Sequence, residues 1–223
     1  MLIRGYSKIM NLILVGPPGV GKGSQAKILA KKLNIPHIST GDMFRMHFKH
    51  DTDLGRLAKS FTEKGLLVPD EVTNQMVVDR LREADVKNGF ILDGYPRNIS
   101  QAQFLDQLLK TKDWKIDWVV NITALEKVLV RRITGRRVCP VCETIYHLDT
   151  HPPQVAGICD KDGHQIIQRT DDTEEIVKDR LHIYETETFP LISYYQAHGI
   201  IIDINGDKLI NQVTLDILKV LGE

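Results

Sequence analysis

Short apolar runs alternate along the chain with stretches of helical periodicity. The runs predict buried strands at residues 12–15, 37–38, 90–92, 118–122 and 200–204. Between the first two runs, apolar residues from Ala26 to Leu33 follow the i, i+3, i+4, i+7 spacing of one helix face. A closing amphipathic helix is predicted on Leu209, Val213, Ile217 and Val220. This alternation predicts an α/β fold, a five-stranded parallel sheet with helices on both faces.

Two stretches depart from the alternation. Residues 39–68 have a helical and polar pattern, and residues 135–172 contain all three cysteines and the Pro152-Pro153 pair. We expect both stretches to be insertions that lie over the strand ends. The core domain is then predicted to comprise residues 1–38, 69–134 and 173–223.

The composition is that of an ordinary globular protein, with 42% hydrophobic and 26% charged residues among 223. Lys and Arg together number 29, as do Asp and Glu. Nucleic-acid and anionic-membrane partners usually leave a basic excess, so we expect neither partner. No apolar run approaches the length of a membrane span, and residues 1–9 lack the apolar stretch of a secretory signal. We therefore expect a cytoplasmic protein.

A glycine-rich loop at residues 16–24, GPPGVGKGS, follows the first predicted strand and precedes a helix. Such a loop presents backbone N–H groups to the β- and γ-phosphates of a nucleotide, and Lys22 adds a mobile cation. The motif indicates phosphoryl transfer or nucleotide hydrolysis. Gly23 stands where the common pattern has the Ser or Thr that contacts magnesium, and Ser24 comes one place later. Metal contact through this hydroxyl is therefore left open.

Asp93 and Arg97 bound the turn DGYPR that follows the third predicted strand. A carboxylate at this place can hold magnesium through its waters, or it can cap the turn. Arg97 has no solvated helix face available, which favours a functional role. Charges aimed at the transferred group are the protein's main contribution to phosphoryl transfer. Further candidates for this role are Arg45, Arg132, Arg136, Arg169 and Arg180.

The three cysteines form a pattern typical of a zinc site. Cys139 and Cys142 make one pair at two-residue spacing, and Cys159 and Asp162 make a second pair after a long loop. Disulfides within one monomer would leave one thiol over. Three unmetallated thiols are the alternative, and the rivals of Asp162 for the fourth position are His147, His151 and His164. A zinc ribbon that binds nucleic acid or protein is a remote alternative, because the segment has few basic or stacking residues.

Three segments, 16–25, 38–45 and 92–97, together resemble the adenylate kinase family. The resemblance continues through 132–137, 169–172 and 180–181, so that it covers nearly everything from Met10 onward. It implies a P-loop nucleoside monophosphate kinase fold with an AMP-binding insertion at 39–68 and a lid at 135–172. It also implies a monomer that uses magnesium to transfer a phosphoryl group directly, in line, between ATP and AMP, giving two ADP. Another monophosphate acceptor, or GTP as donor, is the alternative.

The resemblance also assigns residues. ATP would be bound by Gly19, Val20, Gly21, Lys22, Gly23, Ser24, Arg136, the backbone of Ile145 and Tyr146, and Lys208 near the adenine. AMP would be bound by Thr40, Arg45, Leu66, Leu67, Val68, Gly94, Tyr95, Pro96, Arg97, Gln101, Arg169 and Arg180. The catalytic set would be Lys22, Asp93, Arg97, Arg132, Arg136, Arg169 and Arg180.

Two finer expectations follow from the resemblance. Zinc-bearing bacterial relatives favour Asp162 as the fourth ligand of a structural Zn²⁺, beside Cys139, Cys142 and Cys159. The amide of Gln101 both donates and accepts, and it is expected to pair with the adenine edge of AMP. Asn98 stands where many relatives carry Thr, and we expect little effect from this departure.

Overall fold

The computed structural model describes residues 9–64 and 66–223. Gly65 and residues 1–8, which fall within the predicted core segment 1–38, lie outside the described residues. The strands are β1 (Met10–Val15), β2 (His37–Ser39), β3 (Gly89–Asp93), β4 (Trp118–Thr123), β5 (Arg136–Val138), β6 (Ile145–His147) and β7 (Ile201–Asn205). Five of them form a sheet in the order β2-β3-β1-β4-β7, and every pair in it is parallel.

The α-helices follow the strands along the chain. They are α1 (Lys22–Leu33), α2 (Thr40–Lys49), α3 (Asp53–Thr62), α4 (Asp70–Arg80), α5 (Ile99–Lys110), α6 (Glu126–Thr134), α7 (Glu174–Ile183), α8 (Pro190–Ala197) and α9 (Ile210–Leu221). A 3₁₀ turn spans Ala84–Asn88, and a π-helical turn at Tyr184–Thr188 joins α7 to α8. In the part of the chain given above, no helix has the length and apolar character needed to cross a membrane.

Side chains alternate between two buried clusters along each central strand. In β1, Leu12 and Leu14 pack with residues of α1, α6, α7 and α9, whereas Ile13 and Val15 pack with residues of α4, α5 and α8. Successive side chains of a strand point to opposite faces of the sheet, so both faces are covered. The predicted fold class is confirmed, and the five predicted strands match the observed ones to within two residues at each end.

The closing helix is also present, but its buried face differs from the predicted one. Leu209 precedes α9 and is 73% exposed, and Val220 is exposed as well. The buried apolar positions are Val213, Ile217 and Leu221, which are four residues apart and pack on the cluster that includes α1. Helical spacing allows either Val220, three residues after Ile217, or Leu221, four residues after it, on the buried face, and Leu221 is the one that packs on the cluster.

The two unusual stretches each have a small cluster of their own. Helices α2 and α3 pack around Phe44 and Ala58, joined by Val68 and Met76. Strands β5 and β6 form an antiparallel pair in the second stretch, where Tyr146 is buried with the cysteines. The division into a core domain and two insertions at 39–68 and 135–172 stays a prediction.

Candidate active site

The glycine-rich loop connects β1 to α1 at the carboxyl edge of the sheet. Gly19 has φ +82°, and a Cβ atom there would lie 2.6 Å from Ile133 Cγ1. Gly21, with φ +102°, is the residue from which α1 begins. Only glycine adopts these conformations without strain, and the close approach excludes any side chain at Gly19. The loop therefore leads the chain into α1 with the free N–H groups of the helix N-terminus at the sheet edge.

Lys22 lies over this loop. Its Nζ donates hydrogen bonds to the carbonyl oxygens of Gly16 at 2.6 Å and Pro17 at 2.9 Å. Burial lowers its pKa to about 8, an effect that the negative charge of Asp93 opposes and the positive charge of Arg97 increases. The ammonium group is thus placed where a positive charge is unfavourable until an anion approaches.

Asp93 ends β3, between β1 and β2, and only 8% of its surface is exposed. Its Oδ2 lies 3.2 Å from Nε2 of His37, at the start of β2. A Cβ atom at Gly23 would lie 3.3 Å from the same oxygen, so the first turn of α1 passes directly beside the carboxylate. Glycine at position 23 keeps this approach open. Hard divalent cations prefer oxygen ligands, so the carboxylate fits magnesium held beside the loop.

The turn after β3 positions Arg97. The Gly94 carbonyl oxygen accepts from Arg97 Nε at 2.8 Å and from the hydroxyl of Thr40 at 2.9 Å. Thr40 begins α2, so this carbonyl ties the turn to the first helix of the 39–68 stretch. Burial and then the neighbouring Arg180 lower the pKa of Arg97 to about 10.

Two adjacent aspartates hold Arg180 and Arg136. Arg180 of α7 donates to Asp171 Oδ2 at 2.8 Å, and Arg136 of β5 donates through Nε to Asp172 Oδ2 at 2.8 Å. Asp172 is fully buried, and a buried carboxylate requires a partner such as Arg136. Burial lowers the pKa of Arg169 to about 10, and the charges of Arg45 and Arg136 lower it further. Sequence reasoning quoted both aspartates within a motif but assigned them no role.

These elements enclose a cleft of about 410 Å³. Among the predicted site residues, those that line it are Lys22, Thr40, Arg45, Leu66, Leu67, Val68, Gly94, Pro96, Arg97, Gln101, Arg169 and Arg180. The cleft therefore brings together most of the predicted acceptor site, including Arg169 and Arg180, and the loop lysine.

Other predicted residues lie outside the lining of the cleft. Arg132 donates to the Gly206 carbonyl at 2.9 Å, and Lys208 pairs with Asp216 at 2.6 Å on the surface. The side chain of Tyr95 is fully buried in the core, where its hydroxyl donates to Asn74 at 2.6 Å. The remaining predicted nucleotide-binding and catalytic residues outside the lining are Gly19, Val20, Gly21, Gly23, Ser24, Asp93, Arg136, Ile145 and Tyr146.

The cysteine cluster lies apart from this cleft. One ligand atom from each of Cys139, Cys142, Cys159 and Asp162 lies within 4.8 Å of the others. The sulfurs of Cys142 and Cys159 are 3.5 Å apart, and Cys139 Sγ is 3.3 Å from Asp162 Oδ2. A zinc tetrahedron with bonds of about 2.0–2.3 Å has ligand-to-ligand edges of about 3.3–3.8 Å. The four donors therefore fit a zinc ion.

The histidine rivals of Asp162 have other partners. His164 Nδ1 lies 3.3 Å from Asp162 Oδ1, His151 stacks on Tyr146, and His147 contacts the carbonyl of Arg131. Hydrogen bonds from the thiols hold the pKa of Asp162 well below its usual range, and the bond from Cys142 has the largest effect. The carboxylate is thus available as the fourth ligand, with His164 beside it.

Comparison with known proteins agrees with this geometry. The family model for adenylate kinase matches residues 14–200. The chain belongs to the adenylate kinase family. It is 57% identical to an adenylate kinase of Acholeplasma laidlawii over 95% of this chain and 98% of that protein. It is 54% identical to an adenylate kinase of Caldanaerobacter subterraneus over 95% of this chain and 96% of that protein. It is 50% identical to an adenylate kinase of Clostridioides difficile over 96% of this chain and 99% of that protein.

Membership in the adenylate kinase family confirms the resemblance and the predicted enzyme class, a phosphotransferase. The match extends well beyond the cysteine segment on both sides, so a free-standing zinc ribbon does not account for the chain. His37 contacts Asp93, a predicted catalytic residue, and sequence reasoning missed this contact because the two residues are on different strands and no local pattern joins them.

We expect the Lys22 ammonium to titrate near pH 8 in the ligand-free protein. Bound inorganic tripolyphosphate should raise this pKa, because negative charge favours the protonated form. The measurement is nitrogen NMR of isotopically labelled lysine, with the signal assigned by Lys22→Met. Titration only above pH 10 in the free protein would contradict the described burial.

The same shift predicts a pH dependence of stability. The pKa of Lys22 is about 8 in the folded chain against an ordinary 10.5, so the unfolded state holds more protons between these values. The wild-type free energy of unfolding, measured relative to Lys22→Met, should therefore rise with pH from about 8 to 10.5. A difference that is constant across this window would contradict the shift.

Proposed function

We propose that the protein catalyses the reversible, magnesium-dependent transfer of the γ-phosphoryl group of ATP to AMP, giving two ADP. Proteins of this family use ATP, AMP and ADP. The observation that carries the proposal is the convergence of Lys22, Arg97, Arg169 and Arg180 on one cleft beside a helix N-terminus. So many cations in one cleft match a run of phosphates, which is what two nucleotides joined end to end present.

The donor side consists of the glycine-rich loop. The backbone of Gly19 to Ser24 would hold the ATP phosphates, with Lys22 moving from its loop carbonyls to the phosphate oxygens. Arg136 would add charge from the lid, and Arg132, with Arg169 and Arg180, would bridge the phosphates of both nucleotides. The backbone of Ile145 and Tyr146, with Lys208, would hold the adenine.

The acceptor side is formed around the turn of Arg97. Arg45 and Arg97 would bind the AMP phosphate, and the Leu66 to Val68 segment would cover the nucleoside. Thr40 supports the turn through the Gly94 carbonyl. Gln101 would pair with the base.

The transfer needs no covalent enzyme intermediate. A phosphate oxygen of AMP forms a bond to the γ-phosphorus while the bond from that phosphorus to the β-phosphate oxygen breaks, leaving ADP on both sides. Arg169 and Arg180 would stabilise the charge on the transferred group. Magnesium, when bound, neutralises phosphate charge, and Asp93 would hold it through its waters. The two insertions would exclude water, which would otherwise hydrolyse ATP.

The cysteine cluster is proposed to bind one structural Zn²⁺ through Cys139, Cys142, Cys159 and Asp162. None of the four lines the cleft, which supports a structural over a catalytic role. The ion would join the β5–β6 pair to the loop at residues 159–162. The three cysteines are free, and thiols that would serve as metal ligands support a reducing, cytoplasmic setting. A monomer remains our prediction.

The function is tested by a coupled assay with each nucleoside monophosphate and each nucleoside triphosphate in turn. We expect transfer from ATP to AMP, dependent on magnesium, with other monophosphates used at least about tenfold less efficiently. Equal use of several monophosphates, or a preference for GTP, would replace the proposed substrate pair with the alternative one.

Replacing Arg97 tests the acceptor site. Arg97→Ala should raise the KM for AMP by about 10- to 100-fold, the size expected for charged hydrogen bonds, and change the KM for ATP far less. Arg82→Ala is the control, because Arg82 is an exposed arginine paired with Asp79 on the surface. An unchanged KM for AMP would show that this residue does not bind the acceptor.

Metal removal tests the zinc proposal. Elemental analysis should find about one zinc per chain. Cys139→Ser or chelation should lower the melting temperature by about 5 °C or more, because metal binding energy appears as folding energy. Activity should persist at temperatures where the metal-free lid stays folded.

Val141→Ser serves as the control for Cys139→Ser, since it introduces the same side chain at an exposed neighbour. Complete loss of activity with no change in melting would mean that the metal acts in catalysis. Protein purified without chelators and found free of zinc would overturn the site.

A further inference from the structure

The amide of Gln101 is fixed in one orientation by its two partners. Its Oε1 accepts from the Arg97 backbone N–H at 2.8 Å, and its Nε2 donates to Asp70 Oδ1 at 2.6 Å. A backbone N–H only donates and a carboxylate only accepts. Turning the amide over would therefore lose both hydrogen bonds and place like groups against each other. The side chain is 2% exposed, so water does not readily replace the lost partners.

Asp70 is the centre of a small closed network. It begins α4, where the helix N-terminus favours a negative charge. Its carboxylate also accepts from Nδ2 of Asn98, at 3.0 and 3.2 Å to its two oxygens. The Oδ1 of Asn98 in turn accepts from the Gln101 backbone N–H at 2.8 Å, which caps α5. The network thus joins the start of α4 to the start of α5 and to Gln101.

The network leaves Gln101 with one specific pair of free positions. One lone pair remains on Oε1 and one N–H remains on Nε2. An adenine ring presents an amino donor at C6 beside a ring-nitrogen acceptor, which complements this pair. A 6-oxo purine presents an acceptor where adenine has its donor, and it would meet the Oε1 acceptor of Gln101.

We infer that Asp70 is a positioning residue for acceptor specificity, which holds the Gln101 amide in the orientation that pairs with a 6-amino purine and rejects a 6-oxo purine. This inference rests on the proposed function, in which Gln101 faces the acceptor base. Asp70 itself acts through Gln101. Asn98 supports it by engaging both carboxylate oxygens, so Asn98 has a role beyond the small effect that we expected.

The test compares AMP with inosine monophosphate, which differs from it at the 6-position and at N1. In Asp70→Ala only the Arg97 backbone N–H still fixes the orientation of the Gln101 amide, so the amide can turn over more easily. The ratio of kcat/KM for AMP to that for inosine monophosphate should therefore fall about tenfold. Calorimetric binding of the two monophosphates should show the same fall. The KM for ATP should change little. Asp70→Asn keeps an acceptor for Nε2 and should retain most of the discrimination.

Glu71→Ala is the matched control, since it removes the same charge from the next residue of α4 at an exposed position. It should leave the ratio unchanged. Should Asp70→Ala fold poorly, Asp70→Ser tests the same loss, because serine suits a helix start yet is too short to replace the carboxylate.

Gln101→Leu separates this inference from the proposed function. A fall in discrimination in Gln101→Leu, with full discrimination kept in Asp70→Ala and Asp70→Ser, would overturn the role of Asp70 while leaving the base contact intact. Full discrimination in Gln101→Leu would overturn both the base contact and the inference. A wild-type enzyme that did not phosphorylate AMP would overturn the proposed function itself.

Discussion

Lys22, Arg97, Arg169 and Arg180 line one cleft at the edge of the sheet, where desolvation and neighbouring arginines lower the pKa of each, and the charges of Asp93 and Asp171 oppose that shift. The lowered pKa values of these side chains all have burial as their first cause. A folded protein tolerates such a cluster only when the rest of the structure holds it in place. The electrostatic energy of the cleft is therefore more favourable with an anionic ligand bound than without one.

The rest of the fold can be understood as the support of this cluster. One apolar cluster packs on each face of the sheet, and together they fix the strand ends from which the glycine-rich loop and the Arg97 turn begin. Asp171 forms an ion pair with Arg180, and Asp172, which is fully buried, forms one with Arg136. The Arg136–Asp172 pair joins residues 36 positions apart in the sequence, and the Arg180–Asp171 pair joins residues 9 positions apart. Breaking a buried pair leaves an uncompensated charge, so these aspartates constrain the site strongly.

Much of the fold and part of the site could be predicted from the sequence, because their signals are local. A parallel strand buried on both faces appears as an apolar run, and the glycine-rich loop carries its conformation in neighbouring residues such as Gly19 and Gly21. The contacts of His37 with Asp93, Arg136 with Asp172 and Gln101 with Asp70 were not predictable in this way. Each joins separate elements, 56, 36 and 31 residues apart, and no periodicity records the pairing. The buried face of α9 was predicted wrongly at its two ends, because no local signal marks that the helix begins after Leu209 and because helical spacing allows either Val220 or Leu221 beside Ile217.

The positive charges of the cleft lower the stability of the ligand-free protein, and bound polyphosphate should raise it. The most direct measurement is the melting temperature of the ligand-free protein in inorganic tripolyphosphate, in adenosine, and in sodium chloride of the same ionic strength. Ligands that bind only the folded state raise its stability. We predict that tripolyphosphate raises the melting temperature clearly more than sodium chloride does, and that adenosine changes it little. A rise no greater than that in sodium chloride, or an equal rise with adenosine, would contradict it.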